Sequence, residues 1–556
     1  MSKGEVRIDI LGTELSISTD EEQEYLDKLL TKYRKTIENV QQKTGLKDPL
    51  RVAILTGFLL CDDLEKSGPK EQKPESGSIE KPGSVPTSRE IPNVEDDGEA
   101  ERLALSMISR LDELICDFKP GDSSCDISSL PLPPDINKEP KHAIYKLRNT
   151  VKNYAWGSAE WIPALLGQKN ISRIPWAELW MGVHPLGASR VIIPDALHDE
   201  SGNDEQEQFI LLSELIEQDK ETFLGKETAR DTLPFLLKLL AAAKPLSIQV
   251  HPNKDQAREG FERENQKGIP LDAPERSYKD KCQKSEILCA LGPFMALCGF
   301  REAVETGFII ELIAQVSEGR LKSDLENLIL ALAHEKAPIK TFLSVLFGME
   351  SEAFKTLGLF LKENQESLAA EFPEYSDVWK LCVYLAGLFP GDCGILAPAY
   401  LNIVELDSGE AIYLPAGVMH TYIRGLAVEL MTNSDNVLRG GLSSKFVDKD
   451  ELLEIIDFSE YKPGILKAPS PSPAIFSYPP LPIEEFVLSV IHCSESLSYS
   501  TKSPVILIIT EGSAAVTDSE KLTLNIKTGE SFFIPPDRSL EFSGNFTAYS
   551  ASIKAD

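Results

Sequence analysis

The N-terminal residues alternate between apolar and polar side chains before a helical pattern takes over. The alternation from Val6 to Ile17 surrounds a turn at Gly12 and predicts a β-hairpin over residues 5–18. Apolar residues then recur at helical spacing from Leu26 to Val40. Together these patterns predict a small module of a hairpin followed by helices.

The same region continues with a second helix and with segments that are too polar to fold. Pro49 suits the first turn of that helix, which completes a module over residues 1–65. Residues 66–96 are dominated by Pro, Ser, Gly and charges, which predicts a disordered linker. Residues 97–117 form one helix whose apolar stripe has no partner nearby, which is typical of a coiled coil, and residues 118–140 are a second linker.

A template repeats in the C-terminal half. It consists of Gly-Glu, four mostly apolar residues and a Pro, and it begins at Gly409 and again at Gly529. The spacing predicts a strand, a corner at the Pro and another strand. Eleven residues after the Gly stands His420 in the first copy and Leu540 in the second. The template resembles the second motif of cupin barrels, so we expect two barrels, with a metal in the first alone.

Residues 300–390 interrupt the strand-like pattern with apolar residues at helical spacing. We therefore expect a mainly β protein. It consists of two cupin (double-stranded β-helix) barrels with an α-helical insertion, behind an N-terminal α+β hairpin and helix module with a coiled-coil helix. The predicted catalytic barrel spans 141–299 and 391–460, the helical insertion spans 300–390, and the C-terminal barrel without metal spans 461–556.

Four residues have the donor atoms and the context of a metal site. Gln249 and His251 are two apart on an apolar strand, so their side chains point to one face. Glu286 opens the next apolar strand, and His420 lies at the predicted corner. Nitrogen and oxygen donors without a thiolate are typical of a catalytic zinc ion, and the neutral Gln is the weakest of the four.

Charge and cysteine content narrow the function classes. The formal net charge of -30 argues against a role on nucleic acid or on anionic membranes, which require a cationic surface. Nine scattered cysteines without a CxxC pair are typical of reduced thiols. We find no signal peptide and no apolar run of membrane-spanning length, and we expect a soluble, cytoplasmic protein.

Ordered sequence blocks from about residue 143 to the end resemble type I mannose-6-phosphate isomerases. The blocks are YKLRNTVKNYAWGS, WAELWMGVHPLGAS, LPFLLKLLAAAKPLSIQVHPNK, ILCALGPFMALCGFR and HTYIRGLAVELMTNSDNVLRGGLSSKF. The resemblance implies zinc-dependent interconversion of mannose 6-phosphate and fructose 6-phosphate, within carbohydrate metabolism and GDP-mannose biosynthesis. It also implies one zinc ion per subunit, held by Gln249, His251, Glu286 and His420.

The resemblance and the chemistry of the reaction assign further residues. Arg439 takes the position of the family's catalytic arginine, and Lys284 precedes the metal-binding glutamate. Glu429 and Asp435 are candidate acids that could instead orient Arg439. The predicted substrate-binding residues are Ser247, Lys445, Trp156, Tyr422 and Asp435.

The block around the glutamate departs from the family pattern. Gln283 and Ser285 stand where the family has His and Pro, and Thr421 replaces the usual Ala after the metal-binding His. Thr421 should face away from the metal, because alternate residues of a strand point to opposite sides.

The first 117 residues resemble the ZapA-like family of bacterial division-ring-associated proteins. The resemblance rests on VRIDILGTELSIS, the helix LRVAILTGFLLCDDL and the later coiled-coil helix. It implies a homodimer or higher oligomer and a possible division-ring partner, whereas the pattern alone fits a generic helical oligomerisation domain. A second possible function is therefore a zinc-binding cupin with little catalysis that senses sugar phosphate and is linked to cell division.

Overall fold

A computed structural model describes two separate parts of the chain. The described residues are the strands at 4–10 and 13–19, residues 35–36, and residues 143–193, 208–226, 231–469, 473–479 and 481–554. The chain divides into two compact units, Met1–Ser123 and Ser124–Asp556. The linkers at 66–96 and 118–140, the helix at 97–117 and most of the predicted helices of the first module lie outside the described residues.

The N-terminal unit contains the predicted hairpin. Strands β1 (Gly4–Ile10) and β2 (Thr13–Thr19) pair antiparallel, and their register places Val6 opposite Ile17. The apolar positions of the two strands are therefore cross-strand partners, and the hairpin prediction is confirmed.

In its described residues, the second unit begins with nine strands and four helices. The strands are β3 (Tyr145–Arg148), β4 (Thr150–Lys152), β5 (Glu178–Gly182), β6 (Arg190–Ile193), β7 (Gln208–Leu211), β8 (Phe235–Ala242), β9 (Ile248–Val250), β10 (Glu286–Ala290) and β11 (Phe294–Phe300). The helices are α1 (Trp161–Leu165), α2 (Leu212–Gln218), α3 (Lys220–Leu224) and α4 (Lys254–Gln266). Strand β8 is buried along its whole length, as expected for the apolar run FLLKLLAA.

Helices fill the predicted insertion and continue past residue 390 to Tyr400. They are α5 (Ala303–Val316), α6 (Gly319–Leu332), α7 (Pro338–Gly348), α8 (Ser351–Glu371), α9 (Ser376–Leu388) and α10 (Ala397–Tyr400), with short 3-10 helices at Pro373–Tyr375 and Cys393–Leu396. Their apolar faces share one buried cluster with Ile248, Val250 and Leu438. The insertion therefore packs behind the strands that carry Gln249 and Arg439.

The chain then returns to strands. These are β12 (Leu401–Leu406), β13 (Ala411–Leu414), β14 (His420–Thr432), β15 (Leu438–Gly441), β16 (Ile475–Ser477), β17 (Val487–Cys493), β18 (Ser496–Ser500), β19 (Val505–Asp518), β20 (Thr523–Lys527), β21 (Ser531–Ile534) and β22 (Ser539–Ser552), with helix α11 at Lys449–Ile455. None of the helices in the described part of the chain is long and apolar enough to cross a membrane.

The first ten-stranded sheet surrounds the metal-binding candidates. Its main order is β12-β11-β14-β8-β5-β4, with β10, β13, β9 and β15 attached through β14, β10 and β9. Residues 420–424 of β14 pair with β11, whereas residues 425–432 pair with β8. The long strand β14 begins at His420 and pairs with β10, which begins at Glu286, and with β9, which ends one residue before His251.

The second ten-stranded sheet does not follow the predicted boundary at residue 461. Its main order is β16-β17-β22-β19-β21-β3-β6-β7, with β18 and β20 at the sides. Strands β3, β6 and β7 were assigned with residues 141–299 to the first barrel, yet β3 pairs with β21 through Leu147 and Ser531. An alternating pattern predicts a strand but does not specify which strand pairs with it. The sheet to which β3, β6 and β7 belong depends on long-range pairing, which the sequence pattern does not show.

The two copies of the repeated template have the same backbone geometry. Gly409 and Gly529 have φ of 83° and 86°, and each donates its N–H to a carbonyl of a preceding strand at 2.8 Å. At the following corner Gly417 has φ of 85° and the matching Asp537 has 57°. The repeat inferred from sequence therefore recurs as structure, and Leu540 lies in an apolar cluster at the position of His420.

Candidate metal centre

Three predicted ligands meet at one buried point. One donor atom from each of His251, Glu286 and His420 lies within 4.8 Å of the others. Nε2 of His251 is 3.3 Å from Glu286 Oε1, and Nε2 of His420 is 3.6 Å from Oε2. All three side chains are almost fully buried. The carboxylate thus lies between two imidazoles, which is a suitable arrangement for a divalent cation.

Backbone carbonyls orient both imidazole rings. Nδ1 of His251 donates to the carbonyl oxygen of Asn436 at 2.9 Å, and Nδ1 of His420 donates to that of Val418 at 3.0 Å. Because a carbonyl can only accept, the proton of each neutral ring lies on Nδ1 and the Nε2 lone pair is available. Nε2 of His251 is buried without a hydrogen-bond partner among the described residues. Such an orphaned nitrogen fits a metal ligand.

Burial and a nearby lysine keep His251 and Glu286 in the protonation states that bind metal. Burial and the charge of Lys284 lower the pKa of His251 to about 4, so its ring is neutral near pH 7. Burial opposes ionisation of Glu286, but the charge of Lys284, the largest of the lowering causes, helps to hold the pKa of this carboxyl well below its usual value. Lys284 Nζ lies 3.0 Å from Glu286 Oε1. The predicted residue Lys284 is therefore part of this cluster.

Strand pairing places Gln249 and Arg439 beside the cluster. Gln249 is the register partner of His420 on one side and of Arg439 on the other. Arg439 is half-buried, and within the described residues no hydrogen bond or ion pair is formed by its guanidinium. Burial lowers the pKa of Arg439, and nearby Tyr154 opposes this effect. An unpaired and partly desolvated guanidinium is suited to an anionic ligand.

A buried charge network extends from the cluster along the first sheet. Tyr422 lies with its hydroxyl 3.2 Å from Glu286 Oε2 and 2.9 Å from Glu429 Oε1. Lys238 Nζ lies 3.0 Å from Glu429 Oε2 and 3.6 Å from Glu178 Oε1. Burial opposes the charged form of Lys238, but Glu178 and Glu429 raise its pKa well above the usual value. The partners of Glu429 are thus Lys238 and Tyr422, rather than Arg439.

A second group of polar residues, His184 and Asp435, lies close to the buried charge network. His184 Nε2 lies 3.2 Å from Asp435 Oδ2, and its ring packs against Trp180 at a centroid distance of 4.8 Å. Burial raises the pKa of Asp435, but the hydrogen bond and charge of His184 outweigh it, so the pKa is lowered overall. Tyr154 stacks on Trp156 at 5.7 Å. Trp156, Asp435 and Tyr422 therefore belong to the surroundings of the site.

One aspartate holds together two loops, at 279–282 and 434–436, that lie next to the metal cluster. The carboxylate of Asp280 accepts from Ser434 Oγ at 2.9 Å and from the Asp435 N–H at 2.8 Å. Asn436 Oδ1 accepts in return from the N–H groups of Lys279 and Asp280 at 2.7 and 3.2 Å. Since the carbonyl of Asn436 orients His251, this clamp connects Asp280 to the metal cluster.

The other predicted residues differ in exposure and in their partners. Ser247 is half-buried two residues before Gln249, and Lys445 is exposed after β15. Gln283 donates to Glu485 Oε1 at 3.2 Å. Thr421 bonds to the carbonyl of Leu246 at 2.8 Å, so its hydroxyl is satisfied by backbone.

Sequence reasoning named Tyr422 and Glu429 but missed Lys238 and Glu178, the other two residues of the buried network. Lys238 lies inside the apolar run FLLKLLAA, and a lone buried cation requires a buried counter-charge. That signal could have predicted a carboxylate partner, although it does not identify Glu178 or Glu429. Tyr154, which the electrostatics place near Arg439, carried no signal of its own.

The fold and the cluster define a protein of antiparallel β-sheets with a buried site for a divalent metal. Comparisons with known proteins identify its family. The family model for the phosphomannose isomerase type I catalytic domain matches residues 144–303, and the model for cell division protein ZapA matches residues 6–114.

Curated relatives match the second unit over nearly their whole length. Mannose-6-phosphate isomerase of Escherichia coli is 37% identical over 404 residues, which are 71% of this chain and 95% of the relative. The Homo sapiens enzyme is 30% identical over 425 residues, or 71% and 94% of the two chains. A crystal structure of mannose 6-phosphate isomerase bound with zinc and yttrium is 34% identical with a TM-score of 0.64, covering 74% of this chain and all of that one. The chain belongs to the mannose-6-phosphate isomerase family.

Proposed function

We propose that the chain is a zinc-dependent mannose-6-phosphate isomerase that interconverts D-mannose 6-phosphate and D-fructose 6-phosphate. The observation that carries the proposal is the buried cluster of His251, Glu286 and His420, in a chain that spans 95% of an isomerase relative. The reaction moves a proton between C2 and C1. It requires a site that steadies negative charge on the sugar oxygens and holds a phosphate.

The residues present fit a zinc ion. Two imidazole nitrogens and a carboxylate oxygen form a donor set typical of catalytic zinc, and Gln249 is proposed as a fourth, weaker ligand. When bound, zinc supplies Lewis-acid polarisation of sugar oxygens. The carbonyls of Asn436 and Val418 keep both rings aimed at the ion.

The side chains around the cluster supply the remaining chemistry in this proposal. Arg439, unpaired within the described structure, steadies the charge that develops on the sugar oxygens. Lys284, whose Nζ lies 3.0 Å from Glu286 Oε1, contacts a reacting oxygen of the sugar near the metal. Ser247 and Lys445 hold the phosphate, while Trp156, Tyr422 and Asp435 shape the sugar site.

The alternative, a zinc-binding sensor of sugar phosphate with weak or no catalysis, has less support. The named relatives are isomerases across bacteria, plants and animals, and this chain covers more than nine tenths of each. Arg439 and Lys284 are both present beside the metal cluster, so the chemistry needed for turnover has not been lost.

We also propose that each ten-stranded sheet is a cupin barrel and that the first one alone binds metal. The matching corners at Gly417 and Asp537 support a shared architecture. Leu540 is packed among apolar side chains of the second sheet, at the position where His420 supplies a ring nitrogen. The helices of residues 300–390 then form an insertion in the first barrel.

For the N-terminal unit we propose self-association. The ZapA match over residues 6–114 and the apolar stripe of residues 97–117 support a homodimer or higher oligomer, with a division-ring protein as a possible partner. The six described cysteines are free thiols, which supports the cytoplasm as the location.

A coupled assay with measured metal content tests the enzyme proposal. The full chain should convert mannose 6-phosphate in added zinc, and His251→Ala should lose both zinc and turnover. The matched control is His492→Ala, because His492 is an exposed histidine of the second sheet and should keep wild-type rates. Wild-type protein that binds zinc without turnover would instead support the sensor.

A further inference from the structure

The segment that follows Arg439 has an unusual backbone. Among the described residues other than glycine, four have φ in the left-handed region, and Leu442 is the buried one of the four, with φ of 53°. A bulky side chain in this region is strained, so the surrounding contacts must impose the conformation. Such strain is typical of functional segments.

One carboxylate from the helical insertion binds this strained backbone. Asp392 Oδ1 accepts from the N–H of Leu442 at 2.7 Å, and Oδ2 accepts from that of Ser443 at 3.3 Å. The same Oδ1 caps the short helix Cys393–Leu396 by accepting from the Gly394 N–H at 2.7 Å. Asp392 therefore connects the end of the insertion to the segment between Arg439 and Lys445.

The packing around Asp392 leaves little freedom for that segment. A Cβ atom at Gly441 would lie 2.9 Å from Asp392 Oδ1 and 3.1 Å from the Gly394 backbone. Leu442 itself is buried in the apolar cluster of the insertion. The close approach of two glycine backbones and the buried leucine leave the segment little room, and Asp392 adds the hydrogen bonds that hold its backbone.

We infer that Asp392 is a positioning residue for the isomerase reaction. By holding Leu442 in the left-handed conformation, it fixes the backbone between Arg439 and Lys445 relative to the metal cluster. The helical insertion then contributes to the active site through this carboxylate, in addition to its packing. The inference rests on the proposed function for Arg439 and Lys445, but its structural part can be tested without turnover.

Steady-state kinetics of Asp392→Ala provide the first test. A displaced Arg439 and Lys445 should lower kcat and raise KM, for a combined loss of about 10- to 100-fold in kcat/KM. Zinc content should stay at the wild-type level, because Asp392 contacts none of the three metal-binding side chains. Asp392→Asn keeps an acceptor for the Leu442 N–H, so its kcat/KM should lie between those of wild type and Asp392→Ala. This variant also covers the case in which the alanine variant does not fold.

Comparison with the conservative variant distinguishes positioning from general loss of structure. Asp392→Asn keeps an acceptor oxygen for the Leu442 N–H, so its kcat/KM should stay about fivefold or more above that of Asp392→Ala. The control is Asp219→Ala, since Asp219 also accepts a backbone N–H, from Thr222 at 3.0 Å, at the start of another short helix. This variant should remain within about twofold of wild type.

Hydrogen exchange of the peptide that contains residues 438–446 gives a readout independent of activity. The amides of Leu442 and Ser443 should exchange faster in Asp392→Ala than in wild type, with Asp392→Asn between the two. Unchanged exchange or unchanged kcat/KM in Asp392→Ala, or an Asp392→Asn variant no better than Asp392→Ala, would each overturn the inference. An inactive wild type would refute the proposed function alone, because the exchange result would still decide the role of Asp392.

Discussion

At the residue scale, the metal cluster depends on hydrogen bonds between residues that are not themselves metal ligands. The ring of His251 is aimed by the carbonyl of Asn436, and Asn436 is fully buried between Asp280 and Lys279. Asn436 Nδ2 donates to the carbonyls of Asp280 and Cys282, both at 2.9 Å. The orientation of one ligand is therefore set by a loop about thirty residues after it in the chain, at 279–282, and by a second at 434–436.

This arrangement predicts that Asp280→Ala weakens zinc binding without removing a ligand. Loss of its carboxylate frees Ser434, Asp435 and Asn436, so the carbonyl that orients His251 is no longer fixed. Groups that orient metal ligands are typically worth about 10- to 100-fold in metal affinity. Competition with a chromogenic chelator should show a loss of that size.

Asp280→Asn provides the matched comparison for this measurement. The amide retains one acceptor oxygen but places a donor toward the N–H and hydroxyl groups of residues 434–436, so its zinc affinity should lie between those of wild type and Asp280→Ala. Equal zinc affinity in all three proteins would show that the loops hold His251 without Asp280.

At the scale of elements, short-range signals predicted more than long-range pairing did. The spacing from Gly409 to His420 and the QxH strand were enough to find residues that the structure brings to one point. Lys238 was missed because its partners, Glu178 and Glu429, are distant in sequence and no local pattern relates them. Strands β3, β6 and β7 were placed in the other sheet for the same reason.

The two corners of the repeated template predict unequal responses to substitution. Gly417 has φ of 85°, and a Cβ there would lie 3.1 Å from Asp457 Cβ, so Gly417→Ala combines strain with a close contact. We expect a loss of about 1–2 kcal/mol, which in a unit of this size lowers Tm by roughly 1–2 °C. At the exposed matching position, Asp537→Gly relieves strain but adds chain entropy, so its Tm should change by less.

Thermal unfolding of both variants, with and without a zinc chelator, checks this pair. The chelator matters because the Gly417 N–H donates to the carbonyl of His251 at 2.8 Å, so the loss at Gly417 could arise through the metal site. The expected difference persists in chelated protein. A Gly417→Ala variant as stable as wild type would contradict the strain argument.

At the scale of the whole molecule, the chain combines a unit that matches isomerase relatives over nearly their whole length with a unit that matches a different family. The isomerase relatives are covered over 91–95% of their length by about 71–75% of this chain, so the enzyme fold does not require residues before the second unit. The division falls at Ser123, inside the Pro-rich stretch of residues 118–140. Linkers of such composition carry few contacts, which predicts that chemistry and association are separable.

A protein that begins at residue 140 should therefore keep the isomerase activity and lose self-association. Its kcat/KM and zinc content should match those of the full chain, because the residues proposed for the site lie between Trp156 and Lys445. Light scattering after size-exclusion chromatography should show a larger assembly for the full chain than for the shortened one. Equal assembly states would exclude self-association through residues 1–117, whereas a large drop in kcat/KM at equal zinc content would show that the N-terminal unit acts on the active site.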